Sequence, residues 1–142
     1  MLALPESRFT PATTLCPHPE RWLSTDDDST EVQVSEMVAG LIRGLQPDYV
    51  IETGSAWGQT AEAIGKALLR NGHGWLHSIE PDSHRAAATR NRCDGLPVEV
   101  PQMASLGFSP ASDYTAQPVI GFAFFDSWRE LRVPEFRRFR PW

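Results

Sequence analysis

Two glycines and a carboxylate that lie close together in the sequence are the residues of this chain best suited to chemistry. The stretch YVIETGSAWGQT (residues 49–60) runs from β-forming residues into Glu52, and Gly54 and Gly58 follow. Glycine lets the backbone turn sharply and lets a ligand approach it closely. The free N–H groups of a helix that opens at Gly58 would face the same crevice. The pattern therefore predicts a ligand-binding turn at the carboxyl end of a strand, with a tight turn that binds nothing as the alternative.

The glycine spacing separates two classes of ligand. A dinucleotide turn reads GxGxxG and closes its amides on a pyrophosphate, whereas this turn reads Glu52, Gly54, Gly58, Thr60. A carboxylate before the turn repels a pyrophosphate and suits a ligand that carries an ammonium group. A nicotinamide-dependent oxidoreductase is disfavoured for this reason.

A second acidic residue stands where it could bind a ribose. Glu80 ends the next predicted strand, and Pro81 follows it. In doubly wound sheets, an acidic side chain near this position accepts hydrogen bonds from ribose hydroxyls. An ordinary exposed carboxylate is the alternative.

The elements that would position these residues alternate between strand and helix. Thr30 and Gln33 form a capping-box pattern before apolar residues at helical spacing, which predicts a helix over about 31–45 that Pro47 stops. Asn71 and Gly72 close a second predicted helix. The remaining predictions are strands at 48–53, 74–80, 96–100 and 118–126 and a helix at 82–93. This order favours an α/β fold with a doubly wound parallel sheet.

Composition restricts the classes of protein. Asp and Glu outnumber Lys and Arg by 18 to 13, so nucleic acid is a disfavoured partner. Residues 127–142 depart from this balance, with five arginines against two glutamates, which indicates a solvated helix face or a docking or anion-binding surface. No apolar stretch reaches the roughly 20 residues of a membrane span and no secretory signal is evident, so we expect a cytosolic protein without membrane contact. Cys16, His18 and Cys93 lack the spacing of a zinc site.

Three stretches, VIETGSAWGQTAEAIGKAL, LHSIEPD and GFAFFDSWREL, resemble the class I S-adenosylmethionine (SAM)-dependent methyltransferases. The likeness is to the branch that methylates small-molecule and sugar hydroxyls, and it covers about residues 31–142. We expect residues 1–30 to be an irregular lead-in segment. The resemblance implies SAM as cofactor and a Rossmann-like sheet with strand order 3-2-1-4. Since the sequence ends in the helix after the fourth strand, we expect a sheet truncated to about four strands. A second copy or a partner chain would cover the open edge of the fourth strand.

The resemblance also implies roles for individual residues. Glu52 would lie near the ammonium group of SAM, and Glu80 would hold the ribose hydroxyls. Asp126 would face the transferred methyl group, either as a base for the acceptor hydroxyl or as a ligand of a divalent metal such as Mg²⁺. Further metal ligands come from later strands in the family. The other residues assigned to the cofactor are Thr53, Gly54, Ser55, Trp57, Gly58, Thr60, Pro81, Met103, Ala104 and Ser105.

Two functions follow as expectations. The first is O-methylation of a small molecule or a sugar hydroxyl, with Trp128 as a candidate wall of the acceptor pocket. The alternative is a noncatalytic remnant of the fold, a structural or interaction module that uses the apolar fourth strand and the Arg-rich end. Nucleic-acid methylation is disfavoured, because DSWR (126–129) replaces the Asn/Asp-Pro-Pro-aromatic signature of amino-directed enzymes.

Overall fold

The lead-in segment contains short regular elements. In the computed structural model, which describes residues 10–11, 18–26, 28–110 and 118–142, strands β1 (Thr10–Pro11) and β2 (Leu23–Ser24) pair antiparallel. The rest of the chain alternates helix and strand. These elements are α1 (Val32–Leu45), β3 (Tyr49–Thr53), α2 (Gln59–Asn71), β4 (Trp75–Ile79), α3 (Ser83–Arg92), β5 (Val98–Glu99), β6 (Phe122–Phe125) and α4 (Arg132–Phe139).

The main sheet is parallel and has the order β5-β4-β3-β6. Counted along the chain from β3, this order is 3-2-1-4, so the predicted α/β fold and strand order are confirmed. Thr53 pairs with Ile79 across the two central strands. Because β3 and β4 end together, Gly54 and Glu80 emerge at the same edge of the sheet.

Helices cover both faces of the sheet. All five residues of β3 are buried, as expected for a central parallel strand. One apolar cluster joins α1 and α2 to the sheet, with Val38, Ile42, Ile64, Leu68 and Leu76 among its members. A second cluster lies on the other face and includes Ile51, Ile79, Phe108 and Phe139.

The start of α1 differs from its prediction. Glu31 is the N-cap and its side chain makes no capping hydrogen bond. Thr30 donates its hydroxyl to Asp126 instead, and the Gln33 side chain accepts the N–H of Leu23 at 3.1 Å. The capping box is therefore wrong, because tertiary partners take both side chains. The predicted end of the second helix is confirmed, since Gly72 closes α2 in the left-handed conformation.

His77 joins three strands. Tyr49 on β3 lies 2.7 Å from its Nδ1, and Glu99 on β5 lies 3.0 Å from its Nε2. The ring is buried, and His77 is the middle residue of β4, two residues before its carboxyl end. A structural role explains this histidine.

Among the described residues, no helix combines the length and the apolar character that crossing a membrane requires.

Candidate functional site

A cavity of about 490 Å³ opens where the parallel strands end. Its size is within the range of small-molecule sites. Five segments form its walls. They are residues 28–30, the turn after β3, the loop after β4, the short 3-10 turn at Ser105–Gly107 and the loop after β6. The strand ends of an open α/β sheet are the usual location of a ligand.

The glycine turn is shaped by its packing against neighbouring loops. Gly54 has φ +78°, and a Cβ on it would lie 2.9 Å from the carbonyl oxygen of Asp126. Gly58 has φ +81°, and its Cβ would lie 2.9 Å from Cγ2 of Thr89 on α3. Ala56 between them also has a positive φ, of 45°. Both glycines are thus required by the conformation of the turn and by the chain's own contacts.

Glu80 lines the cavity with a fixed carboxylate. Its side chain is buried, and its Oε2 accepts the N–H of Ala56 at 3.1 Å. Its Oε1 accepts the N–H of Asp82, also at 3.1 Å. Each carboxylate oxygen has the capacity for a second hydrogen bond. This geometry suits a pair of adjacent hydroxyls.

Glu52 lies below the cavity and does not line it. The residue is 1% exposed, and its carboxyl accepts the hydroxyl of Ser78 at 2.5 Å. Burial raises the pKa of Glu52 to about 8, the negative charges of Asp126 and Glu80 act in the same direction, and the Ser78 hydrogen bond opposes them. The predicted contact between Glu52 and an ammonium group stays a prediction.

Asp126 lines the cavity at the end of β6. Arg132 donates to its Oδ1 at 3.1 Å, and the Thr30 hydroxyl donates to its Oδ2. Burial raises the pKa of Asp126 above its usual value, Glu31 adds to the effect, and the Thr30 hydrogen bond and the Arg132 charge partly offset it. An aspartate with a raised pKa is better matched to proton removal near neutral pH.

The surroundings of Asp126 do not fit a metal ion. A guanidinium and a hydroxyl hold its oxygens, and no three His, Cys, Asp or Glu side chains gather around a metal position within the described ranges. Cys93 is buried in the core, where desolvation and then the charges of Glu52 and Glu62 raise the pKa of its thiol to about 12. Cys16 lies outside the described residues.

The predicted site residues divide into two sets. Those that line the cavity are Gly54, Ser55, Thr60, Glu80, Pro81, Ala104, Ser105 and Asp126. Those that do not are Glu52, Thr53, Trp57, Gly58 and Met103. Trp128 lies on the rim with 79% of its surface exposed. The assignment of these residues to a cofactor stays a prediction.

Sequence reasoning missed one wall of the cavity, formed by residues 28–30. Asp28 accepts a 2.8 Å hydrogen bond from Arg85 on α3. The carbonyl of Thr30 accepts the side-chain amide of Gln59 on α2, also at 2.8 Å. Arg85 and Gln59 line the cavity themselves. An acidic run in a proline-rich segment has no periodic signal, so nothing in the sequence linked it to the strand ends.

Solved methyltransferase structures share the fold of this chain over part of their length. The O-methyltransferase TomG of Streptomyces achromogenes, involved in tomaymycin synthesis and solved with SAM, matches 81% of this chain with a TM-score of 0.72 and 20% identity. The O-methyltransferase of Bacillus cereus, in complex with S-adenosylhomocysteine (SAH), matches 82% with a TM-score of 0.68 and 15% identity. A methyltransferase of Podospora anserina with bound SAH matches 80% with a TM-score of 0.63 and 16% identity.

Over the matched residues, the chain has the Rossmann-like α/β fold of these solved methyltransferases. It spans about half the length of these structures, 52%, 54% and 50% respectively. No protein-family model and no curated protein sequence matches it. In this methyltransferase fold, the cavity occupies the strand-end position where open α/β sheets bind their ligands.

Proposed function

We propose that this chain binds SAM in the strand-end cavity and methylates a hydroxyl of a small molecule or a sugar. Glu80 carries the proposal. A buried carboxylate that lines a cavity, and that two backbone amides hold in place, is suited to a ribose diol. The methyltransferase fold and the SAM or SAH bound to its structural relatives support the same ligand.

The lining residues fit the parts of this cofactor. Glu80 would hold the ribose hydroxyls, Ala104 and Ser105 would lie near the adenine, and Gly54 and Ser55 would lie near the methionine part. When bound, SAM supplies a methyl group that its sulfonium activates for transfer. The role of the protein is to align the acceptor with that methyl group and to assist removal of the hydroxyl proton.

Asp126 is the proposed base. An acceptor hydroxyl would replace that of Thr30 at Oδ2, since this oxygen already accepts a hydroxyl. Arg132 would steady the carboxylate while it takes the proton, because a charge-assisted hydrogen bond orients it from the other oxygen. Trp128 on the rim offers an aromatic surface to the acceptor. The proposal includes no metal, because Arg132 and Thr30 hold the oxygens of Asp126. A cytosolic location remains part of the proposal.

Calorimetric titration of the purified chain with SAM tests the proposal, with NAD as the matched control ligand. Saturable binding of SAM and none of NAD is the expected result. A folded protein that binds neither would contradict the proposal. Transfer of a radiolabelled methyl group to a panel of phenols, sugars and other alcohols would then identify the acceptor class.

A second candidate is an interaction module built on the same fold. Within the described residues β6 pairs with β3 on one side only. Exposed apolar side chains precede β6 in the chain, at Val119, and lie on α4, at Val133 and Phe136. An open strand edge and exposed apolar surface both favour association. Light scattering distinguishes the candidates when it is combined with the titration. A stable oligomer that Phe136→Glu dissociates and that binds no SAM would favour the module, whereas an oligomer that binds SAM agrees with the covered edge expected of the enzyme.

A further inference from the structure

Glu135 is a fully buried carboxylate that takes no part in the proposed contacts with cofactor or acceptor. It lies on α4 and has 0% exposure. The ion pairs among the described residues do not include it. An uncompensated buried carboxylate is costly, so its hydrogen bonds must account for its presence.

Three hydroxyls converge on this carboxylate. Thr53 donates to Oε2 at 2.9 Å, and Ser127 donates to the same oxygen at 2.7 Å. Ser105 donates to Oε1 at 2.5 Å. Hydrogen bonds to a charged acceptor are stronger than those between neutral groups. Glu135 is thus the centre of a small, satisfied polar cluster.

The three donors come from three walls of the cavity. Thr53 ends β3 and immediately precedes Gly54, a lining residue. Ser105 begins the 3-10 turn after β5, and Ser127 lies in the loop after β6. Both serines line the cavity themselves. One side chain behind the cavity therefore ties together three segments that are distant in sequence.

We propose that Glu135 is a positioning residue that holds the β3 turn, the 105–107 turn and the β6 loop at the spacing that SAM binding requires. The link to SAM rests on the proposed function, whereas the tying of the three segments by Glu135 does not depend on it. Glu135→Gln keeps one accepting oxygen, which can serve Thr53 and Ser127, and turns an NH₂ group toward Ser105. Glu135→Ala removes all three bonds. The expected order of effect is therefore Ala greater than Gln.

Hydrogen–deuterium exchange of the free protein tests the geometric part. In Glu135→Ala, amides in the three tied segments should exchange faster, while those of α1 and α2 keep the wild-type rate; in Glu135→Gln the change should be confined mainly to the 105–107 turn. Ser127→Ala should give a smaller change in the same segments, and it serves as a second variant if Glu135→Ala does not fold. Glu130→Gln, an exposed neighbour, is the control and should change nothing. Unchanged exchange in the three segments of Glu135→Ala, or of Ser127→Ala where the alanine variant does not fold, would overturn the proposal.

Calorimetry with SAM tests the functional part. The dissociation constant should rise about tenfold in Glu135→Gln, the loss expected from one charge-assisted hydrogen bond, and should stay at the wild-type value in Glu130→Gln. A lower melting temperature with unchanged affinity would overturn the positioning role and leave only a structural one. If the wild type binds no SAM, the proposed function and the link to SAM fall together, and the exchange result still decides whether Glu135 ties the segments.

Discussion

The Cβ that Gly54 lacks would lie 2.9 Å from the carbonyl oxygen of Asp126 and 3.0 Å from the Cα of Ser127. The turn after β3 and the loop after β6 are thus in backbone contact at the floor of the cavity. The proposed cofactor turn and the proposed base belong to one packed unit. A substitution that displaces the backbone of one segment should therefore displace the backbone of the other.

Gly54→Ala should destabilise the protein by two effects. The residue has φ +78°, which costs an alanine about 1–2 kcal/mol, and the added methyl overpacks the β6 loop at about 1–3 kcal/mol more. Gly72→Ala is the matched control, because Gly72 has φ +79° and no atom within 4 Å of its Cβ position. Urea denaturation of both variants measures the difference. Equal free energies of unfolding would contradict the steric contact.

Glu80→Ala should weaken SAM binding by about 1–3 kcal/mol, because the charge-assisted hydrogen bonds to the ribose are lost. Calorimetry measures the change, with exposed Glu36→Ala on α1 as the control. The N–H groups of Ala56 and Asp82 lose their partner in this variant. Glu80→Gln, which preserves size, is the second variant if the alanine protein unfolds. Wild-type affinity in both would remove Glu80 from the site.

Asp126→Asn should lower kcat/KM by about 10²–10⁴-fold, the usual contribution of a general base, and leave SAM affinity close to that of the wild type. The wild-type rate should fall as the pH drops through the pKa of Asp126, which burial raises above the ordinary aspartate value. The asparagine variant should lose this acid limb. Exposed Asp94→Asn serves as the control. A full rate in Asp126→Asn would exclude Asp126 as the base.

Glu52→Gln should change how stability depends on pH. Burial first, and nearby charges second, raise the pKa of Glu52 from 4.5 to about 8 in the folded state. The folded protein then holds a proton that the unfolded chain releases, so the contribution of Glu52 is full below about pH 4.5 and is lost as the pH rises toward 8. Each pKa unit corresponds to about 1.4 kcal/mol. Glu52→Gln should flatten this decline in urea denaturation, whereas Glu36→Gln should preserve it. An identical decline in wild type and Glu52→Gln would refute the raised pKa.

Much of the architecture could be predicted from periodicity and turn residues. β3 is a short run of β-formers between Pro47 and Gly54, and Gly72 closes α2 by a local rule. The position of Glu80 could be predicted from its place after a strand, because residues that follow parallel strands lie at the same edge of the sheet.

Residues whose role depends on tertiary burial could not be predicted. Glu52 and Glu80 both lie at strand ends in the sequence, yet Glu52 lies below the cavity and Glu80 lines it. Glu135 looked like one charge on an Arg-rich helix, because its three hydroxyl partners are 82, 30 and 8 residues away. Thr30 looked like a helix cap and instead binds Asp126. In each case a distant partner outweighs the local pattern.

The wall formed by residues 28–30 affects how the minimal ligand-binding unit is defined. A chain that began at α1 would keep the whole parallel sheet and both apolar clusters, so it should still fold. It would nevertheless lack Asp28 and Thr30, and Arg85, Gln59 and Asp126 would each lose a partner. The boundary of the folding unit and the boundary of the binding unit therefore differ in this protein by a few residues that belong to no helix or strand.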